Sequence, residues 1–147
     1  MIHELGYRLA DNSRLLRRLF DDRVRSLGLT AAQARLLLSL HREPGKNQAF
    51  YAEKLEIEPI TLTRIVDRME DAGWVERKPD PSDRRARMVQ LTTKSHNIVS
   101  QLRDKVENMF EEVLDGFSED DRRSLGSLLD RIGSNLYAAR DMELTNG

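Results

Sequence analysis

Cysteine is absent from this chain of 147 residues, so disulfides and cysteine-ligated metal are excluded and nothing hints at a secreted disulfide framework. No apolar run approaches the ~20 residues needed for a membrane span. The start, Met1-Ile2-His3-Glu4-Leu5, lacks the basic-then-apolar pattern of a signal peptide, so a cytoplasmic protein is expected. Aromatic residues make up 5% of the chain, too few to build the stacking platforms that single-strand binders need. The usual marks of catalysis are missing as well: no nucleophile elbow, no phosphate-binding glycine loop, no metal-ligand spacing. His3, His41 and His96 are scattered, and Glu111-Glu112 and Glu119-Asp120-Asp121 read as solvated helix faces. The expectation is a non-enzyme with no cofactor and no metal. An enzyme with an unrecognised site is the outlying alternative.

Neither sign of charge prevails, since the formal net charge is −1, but the charges are unevenly placed. Residues 1–46 carry nine basic groups against five acidic, and residues 76–90 five against three. Residues 104–147 carry five against eleven. The acid therefore gathers toward the C-terminus. An ordinary charged surface is the bland account of this asymmetry; a basic binding face is the other.

Periodicity predicts a mainly helical chain. Residues 2–27 keep Leu5, Leu9, Leu16, Leu19, Phe20, Val24 and Leu27 at helical spacing and end at Gly28. Thr30 can cap a second helix that carries Ala34, Leu37, Leu38 and Leu40. A loop at 44–47 leads to a third helix over 48–55, where Ala49, Phe50, Ala52 and Leu55 can pack and Tyr51 is left open. After Thr92 or Thr93, either of which can cap, Ile98, Leu102, Val106, Met109, Phe110, Val113 and Leu114 form another stripe. Ser118 followed by three acids opens a last helix, favourable to its dipole, with Leu125, Leu128, Leu129, Ile132, Leu136 and Tyr137. Residues 141–147 are expected to fray.

The stretch from Glu58 to Thr92 carries the chemistry. Pro59 suits the first position of a helix whose apolar face is Leu62, Ile65, Val66 and Met69. Thr61, Arg64 and Arg68 fall on the opposite face, and Gly73 stops the helix. Two strand-like runs follow, 75–78 and 86–91, around a turn-forming tip Pro79-Asp80-Pro81-Ser82-Asp83 with Arg84 and Arg85 just past it. Two short helices about three residues apart make a helix-turn-helix. A polar second helix fits the DNA major groove, and a basic hairpin can lay arginines along phosphates or into the minor groove.

The segment from Ile57 to Val75, together with Asp83-Arg84-Arg85 and Val89-Gln90-Leu91-Thr92, resembles the MarR family of winged helix-turn-helix regulators. The shared pattern is T-x-T-R-h-h-D-R-h-E-x-x-G-h-h, then D-R-R and h-x-L-T, with h an apolar residue. The flanking helices match the family layout, so the resemblance covers nearly the whole chain. Glu58 departs from it, standing where the family often has a small cap. The absence of cysteine rules out the thiol-based peroxide sensing of one family branch.

The resemblance implies a mainly α fold with a small β-hairpin wing in one MarR-like domain over 1–147. Within it, 29–92 is the DNA-binding lobe, and 1–28 and 93–140 are dimerisation helices. It implies a double-stranded DNA partner, a homodimer, and a repressor of a palindromic operator released by a small aromatic or phenolic effector. The alternative is a helical protein-interaction module on the same fold. Periodicity alone leaves open a monomeric helical subdomain.

The implied contacts are residue by residue. Thr61 and Thr63 lie where side chains meet base edges, or serve only as a cap or solvated residues. Arg64 has the fork for a guanine edge or a phosphate; Arg68 suits backbone; both can instead pair with Asp67 or Asp71. Pro59 contacts by shape, if at all, and Trp74 is expected in the core. Arg85 approaches the minor groove or phosphates beside Arg84, with Asp83 holding an arginine in place; simple solvation of the tip is the other reading. Arg77, Lys78 and Arg87 are secondary phosphate candidates. Tyr7, Arg14, Arg18 and His41 lie on segments that could line an effector cleft.

Overall fold

The computed structural model describes residues 1–147, with the order α1 (Ile2–Val24), α2 (Ala31–Arg42), α3 (Gln48–Lys54), α4 (Pro59–Asp71), β1 (Val75–Asp80), β2 (Asp83–Leu91), α5 (His96–Val113) and α6 (Glu119–Asn146). Two compact units divide it, Met1–Met109 and Phe110–Gly147. The fold is mainly helical with one antiparallel hairpin, as the sequence implies. No helix is long and apolar enough to cross a membrane.

In the first unit the core forms around α2, whose Ala34, Leu36, Leu37 and Leu40 are buried. Leu62 and Val66 of α4, Val24, Tyr51, Val75, Val89, Val99 and Leu102 close over them. Thr30 caps α2 by a reciprocal box: its hydroxyl accepts from Gln33 N and its own N–H donates to Gln33 Oε1. The first helix ends three residues early, because Arg25–Leu27 tighten into a 3-10 turn before Gly28 at φ 73°. Tyr51 is fully buried while Ala49 is exposed. The Tyr51 hydroxyl explains this, donating to the Glu43 carbonyl at 2.6 Å and so bringing its polar end inside satisfied.

Thr92 does not cap by its side chain; its hydroxyl donates to Gly73 O at 2.5 Å, and residues 93–95 form a 3-10 turn ahead of α5. Buried Ser95 is satisfied by donating to Thr92 O. The strands run to Asp80 and Asp83, longer than their apolar runs. Polar side chains lengthen them. Asp80 accepts from the Ser82 N–H and hydroxyl, and Asp83 accepts from Arg85 N, so only two residues are left to turn.

In the second unit, Ser118 and Asp121 form a capping box at the start of α6. This helix continues to Asn146 instead of giving way at Arg140. Gly147 N reaches Glu143 O and the Thr145 hydroxyl reaches Asp141 O, so helical bonding persists through the tail. None of its residues is buried.

Candidate nucleic-acid interface

The helix-turn-helix is α3 and α4, joined through 55–58. Glu56 takes a left-handed φ of 53° there, and Ile57 N bonds back to Ala52 O, which reverses the chain in a few residues. Pro59 stands at the start of α4, and Glu58 makes no side-chain cap. Leu62, Val66 and Met69 are buried beneath α4. Its opposite side presents Ile60, Thr61, Arg64 and Arg68 to solvent. Gly73 at φ 83° ends the helix, and Lys94 Nζ donates to Ala72 O at 2.9 Å, placing a cation on the C-terminal carbonyls. Trp74 is half-buried against the core.

The wing pairs Val75 with Leu91, Arg77 with Val89 and Pro79 with Arg87, with an irregularity at Pro79/Asp80. Val75 and Val89 root it in the core, and an isolated bridge between Asn47 and Met88 ties β2 to the α2–α3 loop. At its tip the Ser82 N–H and hydroxyl hold the Asp80 carboxyl below the usual carboxylate range.

These elements bring some of the expected residues together. Pro59 and Thr63 from the start of α4 share a cavity of about 280 Å³ with Asp83, Arg85 and Arg87 from the wing and Gln48 from α3. Thr61, Arg64 and Arg68 lie outside it, on the exposed face of α4, and Arg84 is exposed on the wing. Thr63 is already engaged: its hydroxyl donates to Pro59 O at 3.0 Å and accepts from Gln48 Nε2 at 3.2 Å. Asp83 holds the backbone of Arg85, not a guanidinium. Arg64 and Arg68 pair with neither Asp67 nor Asp71. Asp67 is taken instead by Arg77, at 2.7 Å.

Arg77 itself is a correction. A secondary phosphate contact was expected of it, but its side chain is only 17% exposed and is bound to two carboxylates. Lys78 is partly neutralised by Glu76 at 3.7 Å. What remains is a set of exposed arginines with no internal partner: Arg64, Arg68, Arg84, Arg85 and Arg87. Gln48, Glu70 and Lys94 were not singled out in the sequence. The Asp67/Glu70 spacing, i to i+3 on a face that already carried arginines, was the available signal for an inward cation.

The residues expected to line an effector cleft do not meet in one place. His41 faces a cavity of about 240 Å³ with Leu91, His96, Val99, Ser100 and Arg103. Tyr7, Arg14 and Arg18 are not among its walls; Tyr7 is 67% exposed and Arg14 pairs with Asp11 at 3.6 Å on α1.

The MarR family model matches residues 29–86, the stretch from the 3-10 turn to the wing tip. Among solved structures, a cysteine-to-serine mutant of MarR from E. coli complexed with operator DNA is 30% identical, with 89% of this chain and 94% of that one covered at a TM-score of 0.70. Wild-type apo MarR from E. coli is 29% identical over 87% and 95% of the two chains, with a TM-score of 0.74. A MarR transcriptional regulator from Methanosarcina mazei Go1, at 24% identity, 93% and 99% coverage and a TM-score of 0.80, shares the fold. With the helix-turn-helix, the wing and these matches agreeing, the chain belongs to the MarR family of transcriptional regulators.

Proposed function

We propose that the chain is a homodimeric, sequence-specific DNA-binding repressor of a palindromic operator. The carrying observation is that Arg85 of the wing and Pro59 and Thr63 of the first turns of α4 wall the same cavity. Such an arrangement suits a helix in the major groove with an arginine reaching the neighbouring phosphates or minor groove. In this reading Arg64 meets a base edge, Arg68 and Arg84 meet backbone, Thr61 touches a base or its methyl, and Asp83 fixes the turn that carries Arg85. A protein-interaction surface would be served by outward acids on α4. Asp67 and Glu70 stay partly exposed but are paired with Arg77, and Asp71 is exposed, whereas Arg64 and Arg68 keep their charge unpaired, which favours the DNA reading.

Residues 29–92 form the reading lobe, and 1–28 and 93–140 supply the dimer contacts. Exposed apolar side chains support this in each unit separately: Ile2, Leu5 and Leu9 on α1, and Leu128, Leu129, Ile132 and Leu136 on α6. A 28-residue helix that buries nothing needs a covering surface, since tertiary packing supplies most helical stability. A second copy of the chain provides one and sets two heads about a helical turn apart. The His41 cavity, with Arg103 as a cation, His96 as a hydrogen-bonding ring and Leu91 and Val99 as apolar wall, is suited to a small aromatic anion. Such an effector must favour the DNA-incompetent state to release the operator.

The test is selection of bound duplexes from a random pool, with sedimentation of the purified protein. Recovery of a palindrome by a dimer is expected. A monomer that enriches no duplex at low salt would refute the proposal, and a titration in which no hydroxybenzoate releases DNA would remove the effector part.

A further inference from the structure

The guanidinium of Arg77, on β1, is shared between two helices. Its Nε donates to Gln48 Oε1 of α3 at 2.6 Å. Its other nitrogens reach α4: Nη1 donates to Glu70 Oε1 at 3.1 Å, and Nη2 to the Thr63 carbonyl at 3.0 Å and to Asp67 Oδ1 at 2.7 Å. Its backbone N–H also donates to Glu70 Oε2 at 3.0 Å. Gln48 then passes the connection on, its Nε2 donating to the Thr63 hydroxyl, which donates to Pro59 O. One side chain thus joins the wing, the reading helix and the helix before it.

We infer that Arg77 is a positioning residue: it touches no DNA but fixes the wing arginines in register with Arg64 of α4. This rests on the DNA reading proposed above. A two-stranded hairpin is marginal alone, so the angle of the wing must be set by what it leans on. The bridge at Asn47 anchors the β2 side; Arg77 anchors β1 to α4. A planar fork whose bonds point in fixed directions holds an orientation, which a single ammonium cannot do. Its charge is spent on Asp67 and Glu70, so it has little left to offer a phosphate. A half-buried pair of this kind adds little stability, and its value lies in the geometry it selects.

Arg77→Lys tests this, because it keeps the charge and removes the fork. Binding is measured to the duplex recovered by selection and to a scrambled duplex, across salt. The selected duplex should bind about tenfold more weakly, the scrambled one within about threefold of wild type, with an unchanged salt slope. Without DNA, the amides of residues 83–87 should exchange faster than in wild type, while those of α2 do not. Gln48→Ala, which removes one arm, should move both readouts the same way by less, and it decides the matter if Arg77→Lys does not fold. Wild-type affinity and discrimination in the variant, or equal loss on both duplexes, would overturn the inference. If wild type binds no duplex the DNA reading fails, and amide exchange alone decides: no faster exchange in residues 83–87 would overturn the coupling too.

Discussion

Arg85→Ala gives the most direct measure of whether the wing meets phosphate. The change is clean. The turn that presents Arg85 is held through its backbone N–H by Asp83, at 2.9 Å, and alanine keeps that bond. The guanidinium has no partner inside the chain, so thermal stability should stay within about 0.5 kcal/mol of wild type. With Arg64 on a base edge, the free arginines Arg68, Arg84, Arg85 and Arg87 would give about eight phosphate contacts in the proposed dimer, a log–log salt slope of about −7. Removing Arg85 from both protomers takes away two contacts, and the slope should shrink by about 1.8. Over a fourfold rise in salt, from about 50 to 200 mM, the affinity gap between wild type and variant should then narrow by about twelvefold. Fluorescence anisotropy on a labelled operator across that range measures it. Parallel lines for the two proteins would refute the phosphate role, whatever the loss at any one salt.

Other residues make separate predictions. Arg64→Ala should erase preference at one operator position, worth about 1–3 kcal/mol, and equal loss on every sequence would count against base reading. Tyr51→Phe leaves the Glu43 carbonyl without its 2.6 Å donor and should cost about 1–2 kcal/mol in urea unfolding at neutral pH. Burial, aided by the charge of Glu43 and opposed by the Lys46 N–H, pushes the Tyr51 hydroxyl above its ordinary value of 10.0. The folded state therefore holds that proton longer, so wild type should lose stability as pH climbs past the unfolded value, and the phenylalanine variant should lack that alkaline component. Gly73→Ala forces an L side chain to φ 83° and sets its Cβ 3.0 Å from Lys94 Cδ, displacing the lysine that caps α4. A loss of about 2 kcal/mol is expected by thermal melting, and a neutral result would show that the turn relaxes.

The elements legible from sequence were those set by local spacing. The α4 face of Leu62, Val66 and Met69, the cap at Thr30 and the stop at Gly73 each follow from residues within a few positions of one another. The role of Arg77 does not. Its partners lie 7, 10, 14 and 29 residues earlier, across a left-handed turn, and whether a strand residue faces inward depends on a register that the chain settles only on folding. Tyr51 was ambiguous for a similar reason, because its burial requires an acceptor, Glu43 O, from another loop. The extra strand length at the wing tip came from Asp80 and Asp83, polar residues that by propensity argue for a turn. Helical bonding carried α6 through residues 141–146, part of a terminus expected to fray. Tyr7, Arg14 and Arg18 lie on α1 and His41 on α2, and periodicity does not say which faces of two helices meet, so their grouping could not be read from spacing.

Because α6 buries none of its residues, packing within one chain contributes little to holding this helix. If a second copy covers it, its persistence depends on how many copies are present, and the unfolding midpoint should climb with protein concentration. A cell holding few copies would then carry regulator whose last arm is open to proteases, so the dose of protein would itself tune how long each molecule survives.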